Sequence, residues 1–172
     1  MIQSIILDLM VAFVKIVAAL VLSANAAYVS MTLLDRITSQ IDEWKEIKKG
    51  NAAVGILYAA VIFSLLIMVE PQISEFVGAI QLGLPAQLLV GTLAFALANY
   101  IVAVLIGVIL IYLSLHVIDY LTPDLMELNE LKKGNVAVAL IMAAVLVVIS
   151  FSMHSPFESV FNIIKSLESL LL

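Results

Sequence analysis

Long runs of apolar residues, separated by short polar segments, dominate the chain. The runs extend over about residues 9–34, 51–69, 85–118 and 135–153. A helix needs about 20 residues to cross the hydrocarbon of a bilayer. Transmembrane β-strands would instead alternate apolar and polar residues over about 10 positions. The pattern therefore predicts an all-α, polytopic integral membrane protein with four transmembrane helices and short amphipathic interfacial helices.

Prolines flank the predicted spans and indicate where they end. Pro71 follows the second run, Pro85 precedes the third and Pro156 follows the fourth. Proline is tolerated at the first turn of a helix but disrupts a helix interior. We therefore expect Pro71 and Pro156 to end their spans. Apolar residues share one face of the segment after Pro156, which predicts a separate amphipathic helix at the membrane surface.

Composition and charge exclude several other classes of protein. Hydrophobic residues make up 64% of the 172 residues and charged residues 12%, against about a quarter charged in soluble domains. The chain has no cysteine, which excludes disulfides and thiolate metal sites. Its net charge of −5 offers no basic surface, so we expect no nucleic-acid partner. No catalytic or metal-binding motif is present, and we expect no enzyme activity, cofactor or metal.

The basic residues predict the orientation of the chain. Six of the eight Lys and Arg residues lie in loops 35–50 and 119–134. Cytoplasmic loops of membrane proteins carry an excess of these residues. We therefore predict a multi-pass plasma-membrane protein with both loops in the cytoplasm and both termini outside.

The sequence contains an internal repeat. Residues 35–61 and 119–145 share 13 identities in 27 positions at an offset of 84 residues. The charged identities cannot result from apolar composition alone. We divide the chain into repeat 1 (1–84) and repeat 2 (85–172). Because each repeat contains two spans, the copies have the same orientation in the membrane, as parallel repeats do.

A polar turn between the spans is the best-preserved part of the repeat. It comprises Glu46, Lys48, Lys49, Gly50 and Asn51 in the first copy and Glu130, Lys132, Lys133, Gly134 and Asn135 in the second. Glycine suits a left-handed helix end, and asparagine suits the cap of the next helix. We also expect Thr38 and Thr122 to cap the short helices before these turns.

The runs from Glu46 to Val54 and from Glu130 to Val138 resemble the signature of the uncharacterised prokaryotic membrane family known as domain of unknown function 350. The resemblance covers most of the chain. It implies tandem two-helix units in a prokaryotic plasma membrane. It implies no activity.

Among the polar residues inside the apolar runs, Lys15, Asn25 and Asn99 are the candidates for a pathway through the membrane. An intramembrane lysine usually faces a cavity or a partner group, but Lys15 also lies close enough to the span end to extend toward the surface. Asn25 and Asn99 suit hydrogen bonds between helices. Both a pathway role and a structural role remain open for all three.

Small residues at four-residue spacing recur in both copies. They are Ala19, Ser23, Gly55 and Ala59 in repeat 1 and Ala103, Gly107, Ala139 and Ala143 in repeat 2. Such pairs let helix backbones approach closely. They predict helix packing, with pore lining as the alternative.

Two classes of function fit these features. The first is passage of an ion or small polar solute, which requires a homo-oligomer because four spans rarely enclose a pore. The second is a membrane scaffold that recruits a cytoplasmic protein through its charged helices. The lipid bilayer is the partner that both hypotheses share.

Overall fold

The structure, a computed structural model, describes residues 2–38, 42–122 and 126–171. These residues form helices and no strands. The helices are α1 (Ile2–Ile37), α2 (Glu43–Lys48), α3 (Ala52–Ala79), α4 (Ala86–Leu121), α5 (Glu127–Lys132) and α6 (Val136–Leu171). Helices α1, α3, α4 and α6 are long and apolar enough to cross a membrane. The predicted all-α, multi-pass architecture is therefore confirmed.

Helix α3 lies at the centre of the bundle. It packs most extensively against α6 and also contacts α4 and α1, whereas α1 barely touches α4. Leu65, Met68 and Val69 of α3 are completely buried. Helix α1 is peripheral, and the side chains of its first half, including Phe13 and Ile16, are largely exposed.

The two ends of the bundle differ in character. We call the end that carries Gly50 and Gly134 the turn end, and the end that carries Pro71 and Pro156 the distal end. Short helices α2 and α5 pack against the first turns of α3 and α6 at the turn end. The turn end is the one that the basic residues predict to be cytoplasmic.

The prediction that Pro71 and Pro156 end their spans is wrong. Helix α3 continues through Pro71 to Ala79, and α6 continues through Pro156 to Leu171. A proline inside a helix removes one backbone hydrogen bond. Packing offsets this cost, since Ile73 of α3 and Phe157 and Phe161 of α6 are buried beyond the prolines. The expected separate C-terminal helix is therefore an extension of α6.

The expected caps at Thr38 and Thr122 are also wrong. Asp42 caps α2, with its side chain accepting from the amide of Lys45 at 3.0 Å. Each threonine instead follows the end of a long helix and donates its hydroxyl to the carbonyl oxygen four residues earlier, at 2.7 Å for Thr38 and 2.8 Å for Thr122. Each of these carbonyl oxygens also accepts from the backbone amide of the same threonine, so the threonines add a second hydrogen bond to the last turn of the long helices.

Candidate functional site

The two Lys-Gly-Asn turns share one backbone geometry. Gly50 and Gly134 have φ values of +83° and +81°, in the left-handed region that favours glycine. Asn51 Oδ1 then accepts hydrogen bonds from two backbone amides of α3. Asn135 Oδ1 accepts one from a backbone amide of α6. The motif therefore reverses the chain and begins the next span in both copies.

The side-chain amide of Asn51 also joins the two repeats. Its Nδ2 donates to the carbonyl oxygen of Leu131 at 2.9 Å. Its Nδ2 also donates to Glu46 in its own turn, at 3.3 Å, as the Nδ2 of Asn135 does to Glu130, at 2.8 Å. Among the described residues, only Asn51 makes a bond of this kind to the other repeat. Identical turn residues thus have different tertiary roles in the two copies.

One glutamate in each turn forms an ion pair with a lysine of the same turn. Glu46 pairs with Lys49 at 2.5 Å, and Glu130 pairs with Lys133 at 2.6 Å. The hydrogen bonds from Lys49 and then Asn51 lower the pKa of Glu46 below its ordinary value. Hydrogen bonds from Asn135 and then Lys133 lower the pKa of Glu130 in the same way. The two glutamates are therefore bound within their own turns.

The first lysine of each Lys-Lys pair has a different environment from the lysine that pairs with glutamate. Lys48 and Lys132 are exposed at the surface of the turn end. Neither forms an ion pair with a residue that the structure describes. Their charges are therefore available to lipid phosphate or to a protein at the membrane surface.

Two further glutamates, Glu43 and Glu127, are buried at matching positions. The hydroxyl of Thr122 donates to Glu127. Glu43 Oε1 has no hydrogen-bond partner among the described residues. Burial raises the pKa of Glu43 above its ordinary value, a backbone hydrogen bond opposes the rise, and the Asp35 and Asp42 carboxylates add to it.

A cavity of about 520 Å³ opens at the turn end between the two repeats. Arg36 at the end of α1 and His116 and Asp119 near the end of α4 line it, together with the buried Glu127. Charged groups of both signs thus line a cavity whose remaining surface is mostly apolar.

The three candidate pathway residues lie in different environments. Lys15 is partly exposed on the first half of α1 and forms no hydrogen bond or ion pair with a described residue. Asn25 is exposed, and its Oδ1 accepts from the Tyr100 hydroxyl at 2.9 Å. Asn99 is 5% exposed, and its Nδ2 has no partner among the described residues. The structure therefore brings Asn25 to Tyr100 but does not bond Lys15 to Asn99.

Sequence reasoning missed two buried polar side chains, Ser64 and Gln72. Ser64 is completely buried and Gln72 is 2% exposed, and Ser64 Oγ and Gln72 Oε1 lack hydrogen-bond partners among the described residues. Gln72 lies beyond Pro71, where we expected the span to end. The available signal was spacing, because Ser64, Met68 and Gln72 recur every four residues on one helix face.

The predicted packing residues do not all bring helices together. Ala103, Gly107 and Ala139 are buried, Ala19, Ser23, Gly55 and Ala143 are half-buried, and Ala59 is exposed. A Cβ added at Gly107 would lie 2.5 Å from Leu65 Cδ1, so α4 approaches α3 closely there. Gly55 has open space where its Cβ would be. The repeated spacing therefore marks a close contact at Gly107 but not at Gly55.

A second cavity, of about 340 Å³, lies at the distal end between α3 and α6. Glu70, Gln72 and Glu75 from α3 and Glu158 and Asn162 from α6 contribute to its lining. No lysine or arginine is among the described residues that line it. Nor do any three His, Asp or Glu side chains in the described ranges form a group that could hold a metal ion.

Comparisons with known proteins give a family and no activity. The family model described as Domain of Unknown Function (DUF350) matches two tandem regions, residues 6–102 and 92–168. The two matches agree with the internal repeat. No curated protein and no solved structure gives a significant match.

Proposed function

The chain belongs to the family described as Domain of Unknown Function (DUF350), and we propose that it is an oligomeric plasma-membrane protein through which an ion or small polar solute passes. One observation carries this proposal. Ser64, Gln72 and Asn99 are buried in the bundle, and each has a side-chain atom without a hydrogen-bond partner among the described residues. Gln72 and Asn99 lie in the distal half, and Ser64 lies deeper along α3.

Unpaired polar groups are expensive inside a membrane bundle. Burying an amide or hydroxyl without a hydrogen bond costs about 1–3 kcal/mol in proteins. Buried water commonly satisfies such groups. Three unpaired groups in a bundle of apolar helices therefore favour a hydrated interior, which is what a polar solute needs. A mainly polar cavity at the distal end and a mainly apolar one with charged residues at the turn end open at the two ends of the bundle.

Lys15 supports the oligomeric part of the proposal. It lies on the exposed half of α1, where the neighbouring side chains are apolar and exposed. A lysine facing hydrocarbon costs a few kcal/mol unless it reaches the surface or a partner group. A second copy of the chain packed against this half of α1 would shield Lys15 from lipid. The same contact would cover the exposed side chains of Phe13 and Ile16.

Flux through liposomes tests the passage of a solute. Purified protein is reconstituted into vesicles, and gradients of H⁺, K⁺, Na⁺ and glycerol are applied in turn. Ion-sensitive dyes inside the vesicles report each ion, and light scattering reports glycerol through vesicle swelling. We expect flux for at least one solute, and a several-fold slower flux when Asn99→Leu or Ser64→Ala removes an unpaired polar group. Ser30→Ala is the matched control, since the Ser30 hydroxyl is also completely buried but bonds to Ala26 at 2.9 Å. Absence of flux under every gradient would contradict the proposal.

The scaffold function is a second candidate, favoured by the exposed lysines of the turn end. Glu46 and Glu130 are engaged within their turns, so a recruited protein would contact Lys48 and Lys132 instead. Charge reversal at both lysines should then abolish capture of a soluble partner. Flux should be unchanged in the same variant, which separates the two functions.

A further inference from the structure

The two repeats bury their second long helices unequally. Helix α3 packs against α1, α4 and α6, whereas α6 packs against α3 and, less extensively, against α4. Among the described residues, α1 and α6 hardly touch. Two repeats related by a closed two-fold axis would bury α6 against α1 in the way that α3 is buried against α4. The chain therefore leaves the counterpart of its own α3–α4 contact unmade, with one half on α1 and the other on α6.

One face of α6 is exposed where the equivalent face of α3 is buried. The offset of 84 residues pairs Leu57 of α3 with Ile141 of α6, and these side chains are 2% and 58% exposed. Five such positions recur every three or four residues and therefore share one helix face. We call them the open face of α6: Ala137, Ile141, Ala144, Val148 and Ser152. All five are exposed, and their five equivalents in α3 are all buried.

Helix α1 carries the complementary half of the unmade contact. Ala12, Ile16 and Leu20, which we call the open face of α1, are exposed, whereas their equivalents in α4 are buried. Ile16 is 65% exposed and its equivalent Tyr100 is 3% exposed. An exposed apolar face in a membrane protein ordinarily contacts lipid, so exposure alone does not identify a partner. The partner follows from the contact that α3 and α4 make within the chain.

The α3–α4 contact shows what covers such faces. A Cβ added at Gly107 of α4 would lie 3.8 Å from Met68 Cβ on α3. The equivalents of these two residues are Ser23 of α1 and Ser152 of α6, and neither is buried. Because the repeats have the same orientation in the membrane, α1 of a second copy presents its face to α6 as α4 presents its own to α3. The interface within the chain therefore continues into a second copy.

Polar groups beside the two open faces match in depth. Lys15 lies eight residues from Ser23 toward the distal end. Ser159 lies seven residues from Ser152 toward the same end and is exposed, as is Ser155. With Ser23 packed on Ser152, Lys15 of the second copy comes level with these two serines. Serine hydroxyls accept hydrogen bonds from an ammonium group, which offsets the cost of a lysine at this depth.

We infer that copies of the chain assemble head to tail in the membrane, with the open face of α1 in one copy packed on the open face of α6 in the next. The interface is heterologous, since each contact joins two different surfaces, and such interfaces form rings when the rotation between copies closes. The inference rests on the proposed function in taking the chain to be oligomeric. It goes beyond that proposal by assigning the interface.

Disulfide cross-linking tests the interface in a chain that has no cysteine of its own. Ser23→Cys and Ser152→Cys chains with different tags are expressed separately and together, and isolated membranes are oxidised with copper phenanthroline. A Cβ–Cβ separation of 3.8 Å, as at the Gly107 contact, suits a disulfide. We expect a dimer that carries both tags, at least ten-fold more abundant than any dimer of either variant alone. The double variant should give dimers, trimers and longer products.

Phe63→Cys is the matched control for Ser152→Cys, because Phe63 is exposed on α3 outside both open faces. Co-expressed with Ser23→Cys, it should give no dimer with both tags above background, and N-ethylmaleimide confirms that every thiol is reactive. Dimers of a single variant would indicate a two-fold interface and overturn the inference, as would monomers only or an internal cross-link in the double variant. Absence of flux contradicts only passage, since the cross-link is measured without a solute gradient.

Discussion

Gly107 shows how the lack of a side chain at one position lets two helices pack closely. Its backbone lies so close to α3 that an added Cβ would meet Leu65 Cδ1 at 2.5 Å. We expect Gly107→Leu to lower the free energy of unfolding by about 1–3 kcal/mol, the usual cost of adding atoms to a packed core. Unfolding in mixed detergent micelles, followed by circular dichroism, measures the change.

Gly91 on the same helix is the matched control. It is exposed and has open space where its Cβ would be. Gly91→Leu gains the same helix propensity without the close contact, so its stability should stay within about 0.5 kcal/mol of the parent or rise. Equal losses for both variants would show that the approach at Gly107 is not tightly packed.

Glu43 predicts a pH dependence of stability. Burial raises its pKa above the ordinary value of 4.5, so the folded chain binds this proton more tightly than the unfolded chain. The stability that Glu43 contributes is therefore complete below 4.5 and is lost as the pH rises through the folded pKa. We expect Glu43→Gln to unfold at a higher temperature than the parent at neutral pH, with the difference disappearing in acid.

Glu130→Gln is the comparison of opposite sign. Hydrogen bonds from Asn135 and Lys133 lower the pKa of Glu130, so its contribution is present above 4.5 and is lost as the pH falls through the folded pKa. This variant should unfold at a lower temperature than the parent at neutral pH. The unfolding temperatures of both variants and the parent are measured across the pH range. A shift in the same direction for both variants would contradict the interpretation.

At the scale of the element, sequence and structure agree best in the turns. A glycine followed by asparagine specifies a left-handed helix end and a new helix cap by local chemistry, whatever surrounds it. The repeated sequence therefore predicts the position of both turns without knowledge of the tertiary structure. It could not show that the side-chain amide of Asn51 reaches Leu131, because the equivalent asparagine, Asn135, makes no such bond to the other repeat among the described residues.

Alanine at the two asparagines separates the local and tertiary roles. Loss of the helix cap should cost about 0.5–2 kcal/mol in Asn51→Ala and in Asn135→Ala. Asn51→Ala should cost about 0.5–1.5 kcal/mol more, because it also loses the hydrogen bond to the other repeat. Detergent unfolding of both variants gives the difference, and a larger loss for Asn135→Ala would contradict this assignment.

The proline-containing helices show where a prediction from local sequence was wrong. Pro71 and Pro156 each remove one backbone donor, and both follow the end of an apolar run. The helices nevertheless continue, because Ile73, Phe157 and Phe161 gain burial beyond them. Long-range packing of α3 against α6 therefore outweighs a local preference, and it also forms the distal cavity between these extensions.

At the scale of the whole molecule, the absence of cysteine makes the orientation directly testable. Single cysteines at Lys48 and at Leu82 lie at opposite ends of the bundle, and both positions are exposed. The basic residues predict that Lys48→Cys faces the cytoplasm and Leu82→Cys the exterior. In intact cells, a membrane-impermeant maleimide should label only Leu82→Cys. Labelling of Lys48→Cys instead would reverse the assigned orientation.

The sequence by itself determined the helical class, the four spans, the duplicated unit and the two turns. These features depend on local spacing, chain length and partition into lipid, all of which neighbouring residues specify. Only the tertiary structure decided that α3 is central, that Gly107 rather than Gly55 makes the close contact, and that Glu70, Gln72 and Glu158 share a cavity. Residues far apart in the chain produce these features, and matching positions in the two repeats meet different neighbours.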